Sequence, residues 1–254
     1  MRLRDKAAII TGAASGIGAG TSAVFAEEGA SLVLVDRDEE GLAAVRDGLV
    51  AQGVNVVICA GDVGDAKTAQ QAVSVALSKF GRVDVLFNNA GVMTSGDFRD
   101  VDEAAWDAVL NPNLRGTYLM CRAAIPLMLE RGRGAIINTS SVMAFLTEPG
   151  YEAYTTSKAG IIGLTKALAV SYAEQGIRAN CVCPGWVDTP MNRRLAEELG
   201  GMDKLTPIIK RQQPLARMVT VREVGNAVCF LASDDASGIT GAVLCVDGAA
   251  SAAI

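Results

Sequence analysis

Tyr154 and Lys158 are the two side chains whose types and spacing most directly indicate chemistry. They lie four residues apart in a stretch with helical periodicity, so both side chains project from one face of the predicted helix. A cation held beside a phenol stabilises the phenolate and lowers its pKa from about 10, which makes tyrosine a proton donor and acceptor near neutral pH. The spacing therefore predicts an acid–base pair, and an exposed helical pair is the alternative interpretation.

Histidine is absent from all 254 residues. Its absence excludes Ser-His-Asp and Cys-His catalysis and removes the commonest zinc ligand, so we expect no metal site. The six cysteines show no CxxC spacing and lie in apolar runs. We therefore predict buried free thiols, which suit a reducing cytoplasm.

Composition narrows the possible partners further. Half of the residues are hydrophobic, and 23 Lys+Arg against 28 Asp+Glu give a net charge of −5. This balance is typical of a globular chain. The sequence has no long basic block, so it does not indicate a binding surface for nucleic acid or for an anionic membrane. No apolar run approaches the ~18 residues of a membrane span. We expect a cytoplasmic protein that acts on a small molecule.

The elements that must position the tyrosine and lysine alternate along the whole chain. Nearly continuous apolar runs predict strands at 7–10, 31–35, 54–59, 83–87, 134–139, 178–183 and 242–246. Helical stretches lie between them, at about 16–29, 38–51, 65–80, 102–131, 152–175 and 220–233. This order predicts an α/β fold of one domain (1–254): a doubly wound, seven-stranded parallel sheet of the Rossmann type with helices on both faces.

A long insertion precedes the last helix and strand. We predict a substrate lid at about 186–218, because the connection is too long for an ordinary loop. Met191, Leu195 and Leu199 follow helical spacing within it. A surface helix packing this stripe on the body is the alternative interpretation.

A glycine-rich turn joins the first predicted strand to the first helix. Glycine allows a tight turn there, and the helix N-terminus offers free N–H groups to a pyrophosphate. The predicted dinucleotide contacts are Gly12, Ser15, Gly16, Ile17 and Gly18.

The second strand ends in a carboxylate, Asp36, eighteen residues after Gly18. A carboxylate there accepts hydrogen bonds from ribose hydroxyls and repels a 2′-phosphate, which favours NAD(H) over NADP(H). A helix N-cap is the alternative role of Asp36. Arg37 keeps NADP(H) possible, because it would pair with a 2′-phosphate.

Further motifs follow in a fixed order. They are Asp62-Val63, Asn88-Asn89-Ala90-Gly91, Asn113, Ser141 thirteen residues before Tyr154, Lys158, and Pro184-Gly185 with Thr189. Together with the glycine-rich turn, they make the chain similar to the short-chain dehydrogenase/reductase family from about residue 3 to 248.

The resemblance implies a catalytic set of Asn113, Ser141, Tyr154 and Lys158. Tyr154 would be the general acid in ketone reduction, and Lys158 would bind the nicotinamide ribose and lower the tyrosine pKa. Ser141 would hydrogen-bond the substrate oxygen, and Asn113 would hold a water that relays protons. Asn111 and Ser140, neighbours of two of these residues, match the family spacing less well.

The resemblance also implies further cofactor contacts. Asp62 and Val63 would meet the adenine, and Val187 and Thr189 the nicotinamide carboxamide. The remaining implied contacts are Asn89, Ala90, Gly91, Tyr154, Lys158, Pro184 and Gly185.

The substrate pocket would be lined by the segments that follow these motifs. They offer Met93, Ser141, Met143, Phe145, Tyr151, Trp186 and Met191. A largely apolar wall suits a cyclic or medium-sized secondary alcohol or ketone, although several of these side chains could instead pack the core. Glu148 and Glu152 would suit the hydroxyls of a diol or polyol.

The sequence therefore predicts an NAD-dependent oxidoreductase that transfers hydride between nicotinamide and an alcohol or ketone. One alternative is an NADPH-dependent 3-oxoacyl-[acyl-carrier-protein] reductase, and a second, of another class, is a non-catalytic NAD-binding sensor or scaffold. The resemblance implies a homotetramer. The apolar tail at 249–254 is consistent with burial between subunits.

Overall fold

A computed structural model describes residues 1–253; Ile254, the end of the predicted apolar tail, lies outside the described residues. The described chain contains one seven-stranded sheet in the order β3-β2-β1-β4-β5-β6-β7, with every neighbouring pair parallel. The strands are β1 (Ala7–Thr11), β2 (Ser31–Asp36), β3 (Val56–Ala60), β4 (Val85–Asn88), β5 (Gly134–Thr139), β6 (Ile177–Pro184) and β7 (Val243–Val246). The predicted fold class is confirmed.

Nine helices accompany the sheet in the described part of the chain. They are α1 (Gly16–Glu27), α2 (Glu39–Val50), α3 (Ala66–Phe80), α4 (Glu103–Leu110), α5 (Gly116–Glu130), α6 (Glu152–Tyr172), α7 (Pro190–Glu198), α8 (Met202–Gln212) and α9 (Val221–Ala232). Helices α1, α2 and α9 cover one face of the sheet, and α3, α5 and α6 cover the other.

Strand alternation explains why both faces are covered. In β2, Leu32 and Leu34 belong to the hydrophobic cluster under α1 and α9, whereas Val33 and Val35 belong to the cluster under α3 and α5. Successive side chains of a strand point to opposite faces, so a continuous apolar run needs a layer of helices on each side.

The predicted helix at 102–131 is interrupted. Helix α4 ends at Leu110, a π-helical turn spans Asn111–Arg115, and α5 begins at Gly116. A single π turn inserts extra backbone into a helix and redirects the side chains after it. Asn113 lies within this turn and is completely buried.

The predicted lid region folds into the helix pair α7–α8. Its ends meet at a parallel bridge between Val187 and Val219, where Val219 N–H donates to the Trp186 carbonyl at 2.9 Å. Its buried core consists of Ala196, Leu205 and Ile209. The alternative interpretation, in which the stripe packs on the body, was wrong, because Met191 and Leu199 remain 36% and 44% exposed.

All six cysteines are free thiols, as predicted, and only Cys245 is not fully buried. Across residues 1–253, we find no helix of the length and apolarity that crossing a membrane requires.

Candidate active site

The carboxyl ends of β1 and β4 meet at the point where the strand order of the sheet reverses. Connections leave a parallel sheet toward opposite faces at such a point, which opens a crevice for ligands. Here the Thr11 hydroxyl accepts hydrogen bonds from the N–H groups of Asn89 (2.9 Å) and Ala90 (3.1 Å), and the Asn89 amide donates to the Thr11 carbonyl at 3.2 Å. These contacts fix the floor of the crevice. This role of Thr11 was not predicted from the sequence.

The glycine-rich turn forms one wall of the crevice. Gly12 has a φ of +67°, and a Cβ atom on Gly18 would lie 2.0 Å from the Gly12 carbonyl oxygen, so the turn requires glycine at both positions. Ser15 occupies the N-cap of α1 without a side-chain hydrogen bond to the helix. The first N–H groups of α1, including those of Gly16 and Ile17, therefore remain available to an anion such as a pyrophosphate.

Asp36 lies at the end of β2, beside this turn. Its carboxylate accepts the N–H groups of Ala14 and Asp38, both at 3.1 Å, while the neighbouring Arg37 is exposed. The residue does not cap α2, because Asp38 takes that position and accepts the Gly41 N–H. The N-cap alternative for Asp36 was therefore wrong, and its carboxylate is held at the edge of the crevice.

Asp62 and Val63 follow β3 at the same edge of the sheet. The Asp62 carboxylate accepts the Gly64 N–H at 2.8 Å, and Val63 is buried. The crevice thus combines free helix N–H groups, a fixed carboxylate and a tight glycine turn, a set that fits an adenine dinucleotide.

The tyrosine–lysine pair lies on the first turns of α6. The Lys158 ammonium is 5.5 Å from the centre of the Tyr154 ring, and it donates to the Thr139 carbonyl at 3.0 Å. Gly91 lies close to this ammonium. The expected juxtaposition on one helix face is therefore present, so the pair is not an exposed one: Lys158 is buried and Tyr154 is partly buried.

Burial sets the ionisation of both groups. It raises the pKa of Tyr154 to about 12, and a hydrogen bond with Ser141 acts in the opposite direction. It lowers the pKa of Lys158 to about 8. The expected lowering of the tyrosine pKa was wrong for this structure, because the phenolate loses hydration and the ammonium is directed toward Thr139.

Ser141 and Asn113 complete the predicted catalytic set. The Ser141 hydroxyl accepts the Met143 N–H at 3.1 Å, at the start of a short 3-10 turn. The Asn113 amide accepts the Val92 N–H at 2.8 Å and donates to the Ser157 hydroxyl at 3.0 Å. Asn113 therefore ties the loop after β4 to α6.

Ser140 and Ser157 are positioning residues whose roles were not predicted from the sequence. The Ser140 hydroxyl donates to the Lys158 carbonyl at 2.7 Å, which fixes the turn of α6 that carries Tyr154 and Lys158 against the end of β5. The adjacent pair Ser140-Ser141 was a usable signal, because alternation along a strand sends one serine toward the helix and the other toward the cleft.

The last cofactor and pocket positions lie around the end of β6. Pro184, Val187 and Thr189 are buried, Gly185 is partly buried, and Thr189 caps α7. Of the predicted pocket residues, Met93, Met143, Tyr151 and Trp186 are partly buried, whereas Phe145 (52% exposed) and Met191 lie largely at the surface. Phe145 does not pack the core, the role that the sequence also allowed.

Fold and site together define a nucleotide-binding oxidoreductase of the Rossmann type. The family model described as enoyl-(acyl carrier protein) reductase matches residues 12–250. Oxidoreductase UcpA of Salmonella typhimurium is 40% identical over 250 residues, which cover 97% of this chain and 95% of that protein. The 3-oxoacyl-[acyl-carrier-protein] reductase FabG of Thermotoga maritima is 38% identical over 251 residues, 98% of each chain.

Solved structures agree with these relatives. The crystal structure of levodione reductase superimposes with a TM-score of 0.95 at 34% identity and covers 100% of both chains. The chain belongs to the short-chain dehydrogenase/reductase family.

Proposed function

We propose that the protein is an NAD-dependent oxidoreductase that transfers hydride between nicotinamide and a secondary alcohol or ketone. The observation that carries the proposal is the placement of Tyr154, Lys158 and Ser141 together beside the crevice at the carboxyl edge of the sheet. A non-catalytic NAD sensor would have no use for a buried proton donor with a cation at 5.5 Å.

The residues of this chain supply binding and proton transfer. Tyr154 donates a proton to the ketone oxygen in reduction and accepts it in oxidation, while the Ser141 hydroxyl hydrogen-bonds the same oxygen. Lys158 holds the nicotinamide ribose, and the hydrogen bond with Ser141 opposes the effect of burial on the pKa of Tyr154. Asn113 holds the water that relays protons to Lys158. The bound nicotinamide supplies or accepts the hydride.

The remaining residues of the crevice hold the dinucleotide. The N–H groups at the start of α1 meet the pyrophosphate, and Asp36 meets the adenosine ribose. Asp62 and Val63 meet the adenine, and Val187 and Thr189 the carboxamide. The rest of the proposed contact set consists of Asn89, Ala90, Gly91, Pro184 and Gly185.

Nucleotide preference is the first quantity to measure. We expect NADH to bind at least tenfold more tightly than NADPH, a difference of about 1.4 kcal/mol, because the Asp36 carboxylate repels a 2′-phosphate. Titration by nicotinamide fluorescence gives both dissociation constants. Asp36→Asn should reduce the difference, and Arg37→Ala should increase it. Tighter binding of NADPH to the wild type would contradict the assignment of Asp36.

The chemical step is tested by removing one oxygen atom. Tyr154→Phe should lower turnover by at least a hundredfold while NADH still binds, because the ring remains and only the proton donor is lost. Tyr172→Phe, at the other end of α6, is the matched control. Unchanged turnover in Tyr154→Phe would refute the mechanism.

The nearest alternative is an NADPH-dependent 3-oxoacyl-[acyl-carrier-protein] reductase. The identity of 38% to FabG of Thermotoga maritima favours it. Two residues argue against this alternative. Asp36 would repel the 2′-phosphate of NADPH, and Ser15 stands where reductases of that class typically carry a basic residue. A cyclic ketone, a diol or a polyol remains the proposed substrate class.

Assembly as a homotetramer forms part of the proposal. It is supported by apolar side chains that stay exposed on three elements: Tyr118 on α5 (46%), Val170 on α6 (85%) and Leu244 on β7 (36%). Burial between subunits would remove such side chains from water. A monomeric mass in light scattering at micromolar concentration would refute this assembly.

A further inference from the structure

A chain of side-chain hydrogen bonds crosses from the helix pair α7–α8 to the segment that precedes α6. The Trp186 indole N–H donates to the Gln212 Oε1 atom at 2.9 Å, and the Gln212 Nε2 atom donates to the Glu148 carboxylate at 2.5 Å. Trp186 follows β6, Gln212 ends α8, and Glu148 lies between Ser141 and Tyr154 in sequence. These three residues connect the lid to the segment that carries the proposed chemistry.

Among the described residues, this connection between the lid and segment 141–152 consists of a single hydrogen bond. Within residues 1–253, Gln212–Glu148 is the one hydrogen bond that joins 188–218 to 141–152. The lid has further anchors at the end of α8, where the buried Gln213 accepts the Trp186 N–H at 2.9 Å and Leu215 N–H donates to the Gly248 carbonyl at 3.0 Å. The hydrogen-bond link between the lid and 141–152 therefore depends on the Glu148 carboxylate.

The same segment is also tied on its other flank. Gly96 N–H, in the loop after β4, donates to the Gly150 carbonyl at 3.1 Å. Loops from β4 and β6 are thus both fastened to 141–152. Trp186 packs against the small core of the lid, so its indole has one side fixed by apolar contacts and its N–H fixed by Gln212.

We propose that Gln212 and Glu148 are positioning residues that determine specificity: they close the lid around a compact, ring-shaped alcohol or ketone. When a carbonyl group is carried on a long thioester arm, the arm must extend out of the cleft while the carbonyl reacts. The Gln212–Glu148 hydrogen bond obstructs the opening between the lid and segment 141–152 through which the arm would pass. This inference rests on the proposed function, and it selects the compact substrate class over the acyl-carrier alternative.

The experiment compares two uncharged substrates, 4-methylcyclohexanone and 3-oxobutanoyl-pantetheine thioester, with NADH and with NADPH. Gln212→Leu and Glu148→Leu break the link, whereas Glu148→Gln keeps a hydrogen-bond acceptor and removes the charge. Glu174→Gln, an exposed residue remote from the lid, controls for net charge. The Gln212–Glu148 hydrogen bond is exposed to solvent, and the loss of one hydrogen bond of ordinary strength corresponds to an effect of up to about tenfold.

The wild type should prefer the ring ketone. Both leucine variants should lower KM for the thioester about tenfold while kcat for the ring ketone stays within about twofold, and Glu148→Gln should behave like the wild type. A merely structural role would lower kcat for both substrates together. In a Trp106→Phe background, the emission of Trp186 should shift to longer wavelength in the leucine variants alone.

Three results would overturn the inference. The first is an unchanged KM for the thioester in the leucine variants despite a shifted Trp186 emission. The second is agreement between Glu148→Gln and Glu148→Leu, which would show that charge rather than the hydrogen bond acts. The third is a wild type that prefers the thioester. A wild type that binds neither nucleotide and turns over neither substrate would instead refute the proposed function, and this specificity with it.

Discussion

Replacing Gly18 with alanine should damage the crevice far more than its small size suggests. A Cβ atom at this position would lie 2.0 Å from the Gly12 carbonyl oxygen and 2.9 Å from the Asn89 amide nitrogen. Neither neighbour can withdraw easily, because the first is backbone and the second is hydrogen-bonded to Thr11. Overpacking of this kind costs about 1–3 kcal/mol, and the higher helix propensity of alanine returns about 1 kcal/mol.

We therefore expect Gly18→Ala to lower the free energy of unfolding by up to about 2 kcal/mol in urea titrations. NADH binding should weaken at least tenfold, because the displaced turn no longer directs its N–H groups at the pyrophosphate. Gly163→Ala is the matched control: this residue also lies in a helix, a Cβ atom there meets nothing within 4 Å, and the substitution should stabilise the protein by about 1 kcal/mol. Equal effects of the two substitutions would refute the reasoning.

Two further predictions concern stability. The pKa of Lys158 is about 8 in the folded protein against 10.5 ordinarily. Between these values the unfolded chain binds more protons, so stability rises with pH. The difference in unfolding free energy between wild type and Lys158→Met should grow by about 2 kcal/mol from pH 7.5 to 9.5, and a flat difference would contradict the burial of this ammonium. Thr220→Ala removes the capping box that Thr220 forms with Glu223 at the start of α9. It should cost about 1 kcal/mol and lower Tm by about 2–4 °C in calorimetry, and an unchanged Tm would contradict that role.

The sheet was predictable because its strands are buried on both faces. A run such as 31–35 is apolar at every position after Ser31, and the structure extends the strand only to Asp36. The π turn was not predictable from periodicity, since the apolar positions of 102–131 are compatible with one continuous helix. Pro112 was the available signal, because proline interrupts the hydrogen-bond ladder of a helix.

Within the candidate site, sequence spacing placed the tyrosine–lysine pair and the glycine turn correctly. It did not reveal the sign of the Tyr154 pKa shift, which depends on how much water reaches the phenol. It also missed Gln212, whose partners are 26 and 64 residues away. A polar side chain that acts through such distant partners leaves no local pattern in the sequence.

The closed base of the lid has an evolutionary consequence. Residues 188–218 begin and end at the bridged pair Val187 and Val219, and they bury Leu205 and Ile209 in a core of their own. One contiguous stretch of the gene therefore encodes the whole of the proposed lid, whereas Tyr154 and Lys158 are encoded elsewhere. Recombination at its two borders would exchange the proposed lid in one event and leave the sheet, Tyr154 and Lys158 unchanged.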